Sequence, residues 1–155
     1  MPDPQKGYSG INDVQFGINV KVIEPVNLYG CTIGDNCFIG PFVEIQKNVR
    51  IGKNCRIQSH NFICELVTIG DDCFIGHGVM FINDDWKTGG PAHGDRSLWK
   101  KTFIGNNVAI GSNATIMPVE ICHHVIIGAG SVVTKSITTP GFYAGNPAKK
   151  LRDKL

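Results

Sequence analysis

The stretch IGDNCFIGPFVEIQKNVRIGKNCRIQSHNFICELVTIGDDCFIGHGVMF, from Ile33 to Phe81, repeats with a period of six residues. Isoleucine returns at each sixth position until Phe81 replaces it: Ile33, Ile39, Ile45, Ile51, Ile57, Ile63, Ile69 and Ile75. A cysteine or valine follows four places later in most repeats: Cys37, Val43, Val49, Cys55, Val67, Cys73 and Val79. A period of six matches neither the 3.6 of a helix nor an unbroken strand. It predicts short strands that turn a corner in every repeat.

Residues that favour turns lie between the apolar pairs. They include Asp35-Asn36, Lys53-Asn54 and Asp71-Asp72, and glycine often follows the isoleucine. Such residues tolerate the backbone angles of tight corners. We therefore expect a solenoid whose interior receives the isoleucines and the small residues. Cys37, Cys55 and Cys73 are among these small interior residues.

The same spacing extends beyond the central stretch in both directions. It is present upstream at Phe16, Val22 and Leu28, and one residue is missing before Ile33. It resumes downstream, with one residue dropped after Met117, at Ile104, Ile110, Ile116, Ile121, Ile127 and Val133. We therefore expect one domain over residues 1–155, with an external loop at about 83–101. Residues 141–155 are expected to form a short tail or helix packed over the last coil.

Composition excludes several classes of protein. The formal net charge is +2 with both signs mixed along the chain, so no basic stripe indicates a nucleic acid partner. No leader and no apolar run of membrane-spanning length is visible, so we expect a cytoplasmic protein without a membrane partner. Six cysteines without a C-x-x-C pair indicate reduced thiols rather than disulfides or a zinc site.

The closing run IIGAGSVVTKSITTPGFYAGNPAKKLR, Ile126 to Arg152, together with the hexads, resembles the hexapeptide-repeat acyltransferases that use acetyl-CoA. That resemblance implies a left-handed parallel β-helix, an all-β fold, with three hexads in each coil. Cys37, Cys55 and Cys73 lie three hexads apart, so in this fold they stack as one interior column of buried thiols. The block from Pro41 to Asp84 is similar in particular to enzymes that acetylate the 3-amino group of nucleotide-linked amino sugars. The resemblance implies a dTDP- or UDP-linked amino deoxysugar as acceptor, in bacterial surface polysaccharide (lipopolysaccharide) biosynthesis. It also implies a homotrimer with active sites between neighbouring solenoids.

The loop differs from that of the O-acetylating members of this superfamily. In those members of the family that this chain resembles, a histidine in the loop deprotonates the acceptor hydroxyl. This chain has no histidine at the matching place, where it reads Phe81-Ile82-Asn83-Asp84-Asp85. A hydroxyl must lose its proton before it attacks a thioester, but a neutral amine attacks as it stands. We therefore expect Asn83 to orient an amine through its side-chain carbonyl. The resemblance implies that the departing CoA sulfur takes up the proton, and a protein base is the alternative. Asn83 could instead only shape the loop exit.

Other candidate residues have a functional and a structural interpretation. His60 is a catalytic candidate beside the acceptor or a solvated corner residue, and His77 is a substrate-binding candidate one coil later. Asp84 could bind a protonated amino sugar or solvate the loop. Trp99 could contact the nucleotide or pack the loop onto the solenoid.

For acetyl-CoA, we expect Gly111 and Ala129 to let the pantetheine approach the late coils closely. Lys149 and Lys150 could meet its phosphates or form an ordinary solvated tail. Two alternatives remain open. One is O-acetylation of a sugar or antibiotic. The other is a metalloprotein of the hexapeptide-repeat carbonic anhydrase type, although no metal site is expected here.

Overall fold

The computed structural model describes residues 3–153 and winds them into a three-sided parallel β-solenoid. Each side is one sheet, here called A, B and C. Successive strands along the chain visit A, B and C in turn until the last two strands, which both lie in sheet C. Strands on one side pair in parallel with those of the neighbouring coils, in register: Ile33 with Ile51, and Ile39 with Ile57. The prediction of a parallel β-helix is confirmed.

The strands are two to five residues long. Sheet A contains β1 (Ile11–Asn12), β4 (Asn27–Tyr29), β7 (Glu44–Ile45), β10 (Phe62–Ile63), β13 (Met80–Phe81), β16 (Thr115–Ile116) and β19 (Val132–Val133). Sheet B contains β2 (Gln15–Phe16), β5 (Thr32–Ile33), β8 (Arg50–Ile51), β11 (Val67–Ile69), β14 (Thr102–Ile104) and β17 (Glu120–Ile121). Sheet C contains β3 (Lys21–Val22), β6 (Phe38–Ile39), β9 (Arg56–Ile57), β12 (Phe74–Ile75), β15 (Ala109–Ile110), β18 (Val125–Ile127), β20 (Gly141–Gly145) and β21 (Ala148–Arg152).

Three corners join the sheets, and each is named here by what it carries. The loop corner, from A to B, contains residues 46–49, 64–66, 82–101 and 117–119. The cysteine corner, from B to C, contains residues 34–37, 52–55, 70–73 and 105–108. The histidine corner, from C to A, contains residues 40–43, 58–61, 76–79, 111–114 and 128–131.

The core is the stack of inward residues that the period of six predicts. The hexad isoleucines from Ile33 to Ile75 and Phe81 are almost fully buried. Cys37, Cys55 and Cys73 are buried and free, as the interior column requires. Burial also raises the pKa of Cys64 to about 12, so that thiol stays protonated and unreactive at neutral pH.

The chain leaves the solenoid after β13 and re-enters it at β14, within the range predicted for the external loop. A short 3₁₀ helix, η1 (Arg96–Leu98), lies inside this segment. Asp95 caps it, because its carboxylate accepts a hydrogen bond from the Ser97 amide at 2.9 Å. Asp84 and Trp99 close the base of the loop through an antiparallel bridge.

The prediction that the tail, residues 141–155, could be a helix is wrong for its described part. β20 continues sheet C by pairing in parallel with β18, and β21 folds back antiparallel on β20. Gly145 and Pro147 disfavour helix and stand at the turn between the two strands. The last two residues of the predicted tail, 154 and 155, lie outside the described range.

Candidate active site

At the loop corner, the external loop begins directly above a buried carboxylate. The Asn83 side-chain amide donates a hydrogen bond to the backbone carbonyl of Glu65, one coil below, at 3.3 Å. The backbone carbonyl of Asn83 accepts from the Lys100 amide at 2.7 Å, which joins the two ends of the loop. The amide group of Asn83 is thus fixed through its nitrogen, and its Oδ1 receives no hydrogen bond from residues 3–153.

Glu65 is the one acidic side chain among the buried residues of the described chain, at 6% exposure. Its carboxylate pairs with the guanidinium of Arg96, which reaches back from η1, and lies 3.8 Å from the Lys47 ammonium. Its backbone amide donates to Gln46 Oε1 at 3.3 Å. Two cations offset the cost of burying this charge, which would be high for an unpaired carboxylate.

Tyr29 lies on the same side of the molecule, on β4. Partial burial, and then the negative charges of Glu44 and Glu65, raise the pKa of its hydroxyl. Tyr29 is therefore a neutral hydrogen-bond donor near these two carboxylates at any physiological pH.

At the base of the loop, Asp84 organises the backbone rather than presenting a free carboxylate. Its Oδ1 accepts from the Trp86 amide at 2.8 Å. The next residue, Asp85, is paired with Lys100 and lies 3.6 Å from Lys87. The hydrogen bond from Lys100 lowers the pKa of Asp85, so this carboxylate remains ionised.

A cavity of about 470 Å³ opens between this loop base and the late strands of sheet A. Trp86, which is 57% exposed, forms part of its wall. The cavity is lined by Asp85, Trp86, Lys100, Thr115, Met117, Pro118, Val132 and Thr134.

The two predicted histidines lie at the histidine corner. His60 is exposed in a left-handed conformation, with φ of +63°, and its ring contacts the Phe42 ring at a centroid distance of 4.8 Å. His77 is exposed one coil later, and its Nδ1 shares a hydrogen bond of 2.9 Å with the Ser59 hydroxyl.

Gly111 and Ala129 continue this same corner into the late coils. A side chain on Gly111 would come within 2.7 Å of the Ala129 Cα, so close stacking of the coils requires glycine there. The Gly111 amide is already bonded to the Ile127 carbonyl at 2.8 Å, whereas Ala129 is exposed and no described residue accepts from its amide.

Lys149 and Lys150 lie on β21, at the end of sheet C. Both are exposed, and the Lys150 ammonium is 2.6 Å from an Asp153 carboxylate oxygen. That pairing raises the pKa of Lys150, so its positive charge persists.

Within one chain the predicted site residues therefore form two groups. Asn83, Asp84 and Trp99 meet at the loop corner, whereas His60 and His77 share the histidine corner with the two small residues of the late coils. The strands of sheet A separate these two corners. The structure does not bring Asn83 and His60 together in one chain.

Sequence reasoning missed Glu65 and Arg96. Glu65 follows a hexad isoleucine by two places, where the other repeats carry corner residues such as Lys47, so the hexad pattern treats it as solvent-facing. The sequence feature that indicated a buried Glu65 was its place as a lone acid between two apolar residues, in the run Ile63-Cys64-Glu65-Leu66-Val67. Arg96 lies in the non-repeating loop, where no periodicity places side chains.

Residues 3–153 contain no cluster of three or more His, Cys, Asp or Glu side chains arranged to hold a metal ion. The part of the chain that the structure describes also contains no helix that is long and apolar enough to span a bilayer.

Family models match the repeats on both sides of the loop. The bacterial transferase hexapeptide model (six repeats) matches residues 30–65. The hexapeptide repeat of succinyl-transferase matches residues 66–80 and 101–135. Together these matches span more than half of the sequence, and the chain belongs to the hexapeptide-repeat transferase family.

Individual relatives extend this result. A probable macrolide acetyltransferase of Lysinibacillus sphaericus is 36% identical over 124 residues, which are 79% of this chain and 63% of the relative. The bifunctional protein GlmU of Streptococcus uberis is 32% identical over 125 residues, 80% of this chain and 25% of that protein. This chain thus spans about a quarter of the length of the GlmU protein that it matches.

Solved structures share the fold. A galactoside acetyltransferase in complex with coenzyme A is 33% identical, with a TM-score of 0.66 over 78% of this chain and 64% of that one. A perosamine N-acetyltransferase variant from Caulobacter crescentus, with CoA and GDP-perosamine, gives a TM-score of 0.63 at 19% identity, over 95% and 59% of the chains. A variant of AntD, an N-acyltransferase from Bacillus cereus, with dTDP and coenzyme A, gives 0.64 at 20% identity, over 94% and 86%. At these two low identities the likeness shows the fold alone.

Proposed function

We propose that the protein transfers an acetyl group from acetyl-CoA to the 3-amino group of a nucleotide-linked amino deoxysugar, as a step in bacterial surface polysaccharide biosynthesis. The observation that carries this proposal is the set of side chains at the loop corner. There a neutral amide, Asn83, and a buried carboxylate, Glu65, stand where a base would be needed for a hydroxyl acceptor. Neither group is the histidine expected for a hydroxyl acceptor, and both can accept a hydrogen bond from an amine.

The reaction needs no protein base in this arrangement. The amine nitrogen attacks the thioester carbonyl, the C–S bond breaks, and the CoA sulfur leaves with the electron pair. The nitrogen then gives up its extra proton, and the thiolate takes it to form the free thiol. The work of the protein is to hold the amine and the thioester in line.

Acetyl-CoA binds along the histidine corner in this proposal. The exposed Ala129 amide has no partner among the described residues and can bind a pantetheine carbonyl, and Gly111 allows the coil that carries this amide to stack closely. Lys149 and Lys150 supply positive charge for the phosphates. The coenzyme A complex of galactoside acetyltransferase, at 33% identity, supports this choice of donor.

We also propose a homotrimer. The residues proposed to bind the acceptor, at the loop corner, and those proposed to bind acetyl-CoA, at the histidine corner, lie at opposite edges of sheet A. One chain alone therefore provides two half-sites. Packing the loop corner of one copy against the histidine corner of the next unites them and brings His60 and His77 toward Asn83. Sedimentation velocity tests this proposal, and a fully active monomer would contradict it.

O-acetylation of a sugar or antibiotic is the second candidate. The 36% identity to a probable macrolide acetyltransferase and the exposed His60 favour it. In that case a histidine from the histidine corner acts as the base.

Matched acceptors separate these two functions. Each nucleotide-linked 3-amino sugar is paired with its 3-hydroxy analogue, and the acetylated product and CoA are measured by mass spectrometry. We expect turnover of the amine only, with His60→Asn losing less than the 10²–10⁴-fold typical of a true general base, at about tenfold or below. Turnover of the hydroxyl analogue, abolished in His60→Asn, would establish O-acetylation instead.

A further inference from the structure

The ion pair between Glu65 and Arg96 joins a buried coil to an otherwise exposed loop. Glu65 belongs to the solenoid, and Arg96 comes from η1, 31 residues later. The Glu65 side chain is only 8% exposed, whereas that of Arg96 is 49% exposed. The guanidinium therefore approaches the carboxylate from the solvent side, where an acceptor would also enter.

A carboxylate that binds an amine creates a chemical conflict. A nearby negative charge favours the protonated form and raises the pKa of the amine. An ammonium ion has no lone pair with which to attack a thioester. An unpaired Glu65 would thus bind the acceptor well and hold it in the unreactive form.

Arg96 removes this conflict because its charge is permanent at physiological pH. A guanidinium bonded to the same carboxylate attracts its electron density and repels a second cation beside it. Other charges near Glu65 are those of Lys47, at 3.8 Å, and Glu44, which acts with Glu65 on Tyr29. Asp84, Asp85 and Lys100 lie at the base of the same loop. Of the cations, Arg96 alone among residues 3–153 donates a hydrogen bond to the Glu65 carboxylate.

We propose that Arg96 shares the Glu65 carboxylate with the acceptor amine and so keeps the bound amine in its free-base form. Arg96 acts through Glu65 and is a positioning residue that tunes the protonation of the substrate. This inference rests on the proposed function, since it requires an amine acceptor.

The dependence of kcat on pH tests the proposal, because kcat reports ionisations in the enzyme–substrate complex whereas kcat/KM reports those of the free reactants. Wild type, Arg96→Ala and Arg96→Lys are compared with one amino sugar. In Arg96→Ala we expect the kcat midpoint to move up by about one pH unit, which lowers kcat about tenfold below the midpoint. The kcat/KM midpoint stays at the pKa of the free acceptor, and Arg96→Lys retains most of the wild-type behaviour.

Lys87→Ala is the matched control, because Lys87 is an exposed loop cation that lies near Asp85 rather than Glu65. Its kcat midpoint is expected to remain at the wild-type value. Equal loss of kcat at every pH in Arg96→Ala, with an unmoved midpoint, would reduce Arg96 to a structural support of the loop. A midpoint that moves down, or moves equally in the control, would also overturn the proposal. If wild type acetylates no amine at any pH, the proposed function itself fails, and this inference fails with it.

Discussion

The cysteine corner and the loop corner are built on the same hexad, yet they differ in regularity. At the cysteine corner each coil repeats the one before it. Cys37, Cys55 and Cys73 each donate a thiol hydrogen bond of 3.1 Å to a glycine carbonyl of the following coil. Outside them, the side chains of Asn36, Asn54 and Asp72 form a hydrogen-bonded ladder with spacings of 3.2 and 3.0 Å.

At the loop corner no such ladder exists, because successive coils present Lys47, Glu65 and Asn83 in turn. The chain then departs for the external segment at 82–101. The polar side chains here have individual partners instead of a repeated one, such as Arg96 from η1 for Glu65. A repeated corner satisfies its own polar groups and leaves nothing for a ligand. The broken corner leaves the Asn83 amide oxygen without a partner among residues 3–153 and a buried carboxylate paired with a half-exposed arginine, so chemistry is expected there.

The largest expected effect on activity comes from replacing Asn83 at the loop corner, and the comparison is the replacement of Asn54 at the cysteine corner. Asn83→Ala should lower kcat/KM by about 100-fold, because the acceptor amine loses its orientation. Asn54→Ala should leave kcat/KM near the wild-type value and cost stability only, since Asn54 bonds within the ladder. Steady-state kinetics on both variants, with circular dichroism to verify folding, measures the difference. Equal losses of activity in the two variants would remove the distinction between the corners.

The loop itself provides the next test. Replacing residues 86–99 with a short Gly-Ser linker removes Arg96 and the Asp84–Trp99 bridge. We expect KM for the acceptor to rise more than about tenfold, with KM for acetyl-CoA changed less than about twofold. The physical reason is that the donor residues lie at the histidine corner. If both KM values rise together, the loop covers the donor as well.

The sequence predicted the solenoid well because the repeat carries its own evidence. A buried isoleucine in each hexad is a local requirement, and the register of Ile33 with Ile51 follows once the corners are equivalent. The loop was located by the loss of that pattern. The tail was missed as a strand pair, since β20 and β21 lack the hexad and the pairing of β20 with β18 is a tertiary contact.

The candidate site was predictable only in part. Asn83 was found because it stands where the repeat ends. Glu65 and Arg96 were not, because their pairing joins positions 31 residues apart through a loop whose path no period specifies. The separation of His60 from Asn83 also required the topology, which places them at opposite edges of sheet A.

A smaller effect is expected in the interior of the cysteine corner. Cys55→Ala removes a buried thiol and its hydrogen bond to the Gly70 carbonyl. The free energy of unfolding should fall by about 1 kcal/mol, as for the loss of a small buried group. Urea denaturation measures this, and kcat at saturating substrate should be unchanged. Loss of turnover in stable Cys55→Ala protein would give the thiol a chemical role.

The smallest effect concerns the strand where the loop returns to the solenoid. Thr102 is 1% exposed, and its hydroxyl is the buried side-chain polar atom without a hydrogen-bond partner in the described chain. In the preceding coil its registered neighbour is Val67, which fills the same inward place with two methyl groups. Thr102→Val should therefore raise the free energy of unfolding by up to about 1 kcal/mol, because an unsatisfied hydroxyl is replaced by an apolar group of the same shape. The matched control is Thr68→Val, on the outward face of the adjacent strand, where the change should stay within about 0.5 kcal/mol. Destabilisation by Thr102→Val in urea denaturation would show that the hydroxyl is hydrogen-bonded after all. Strand β14, where the chain re-enters the solenoid, would then resemble the polar loop corner rather than the regular core.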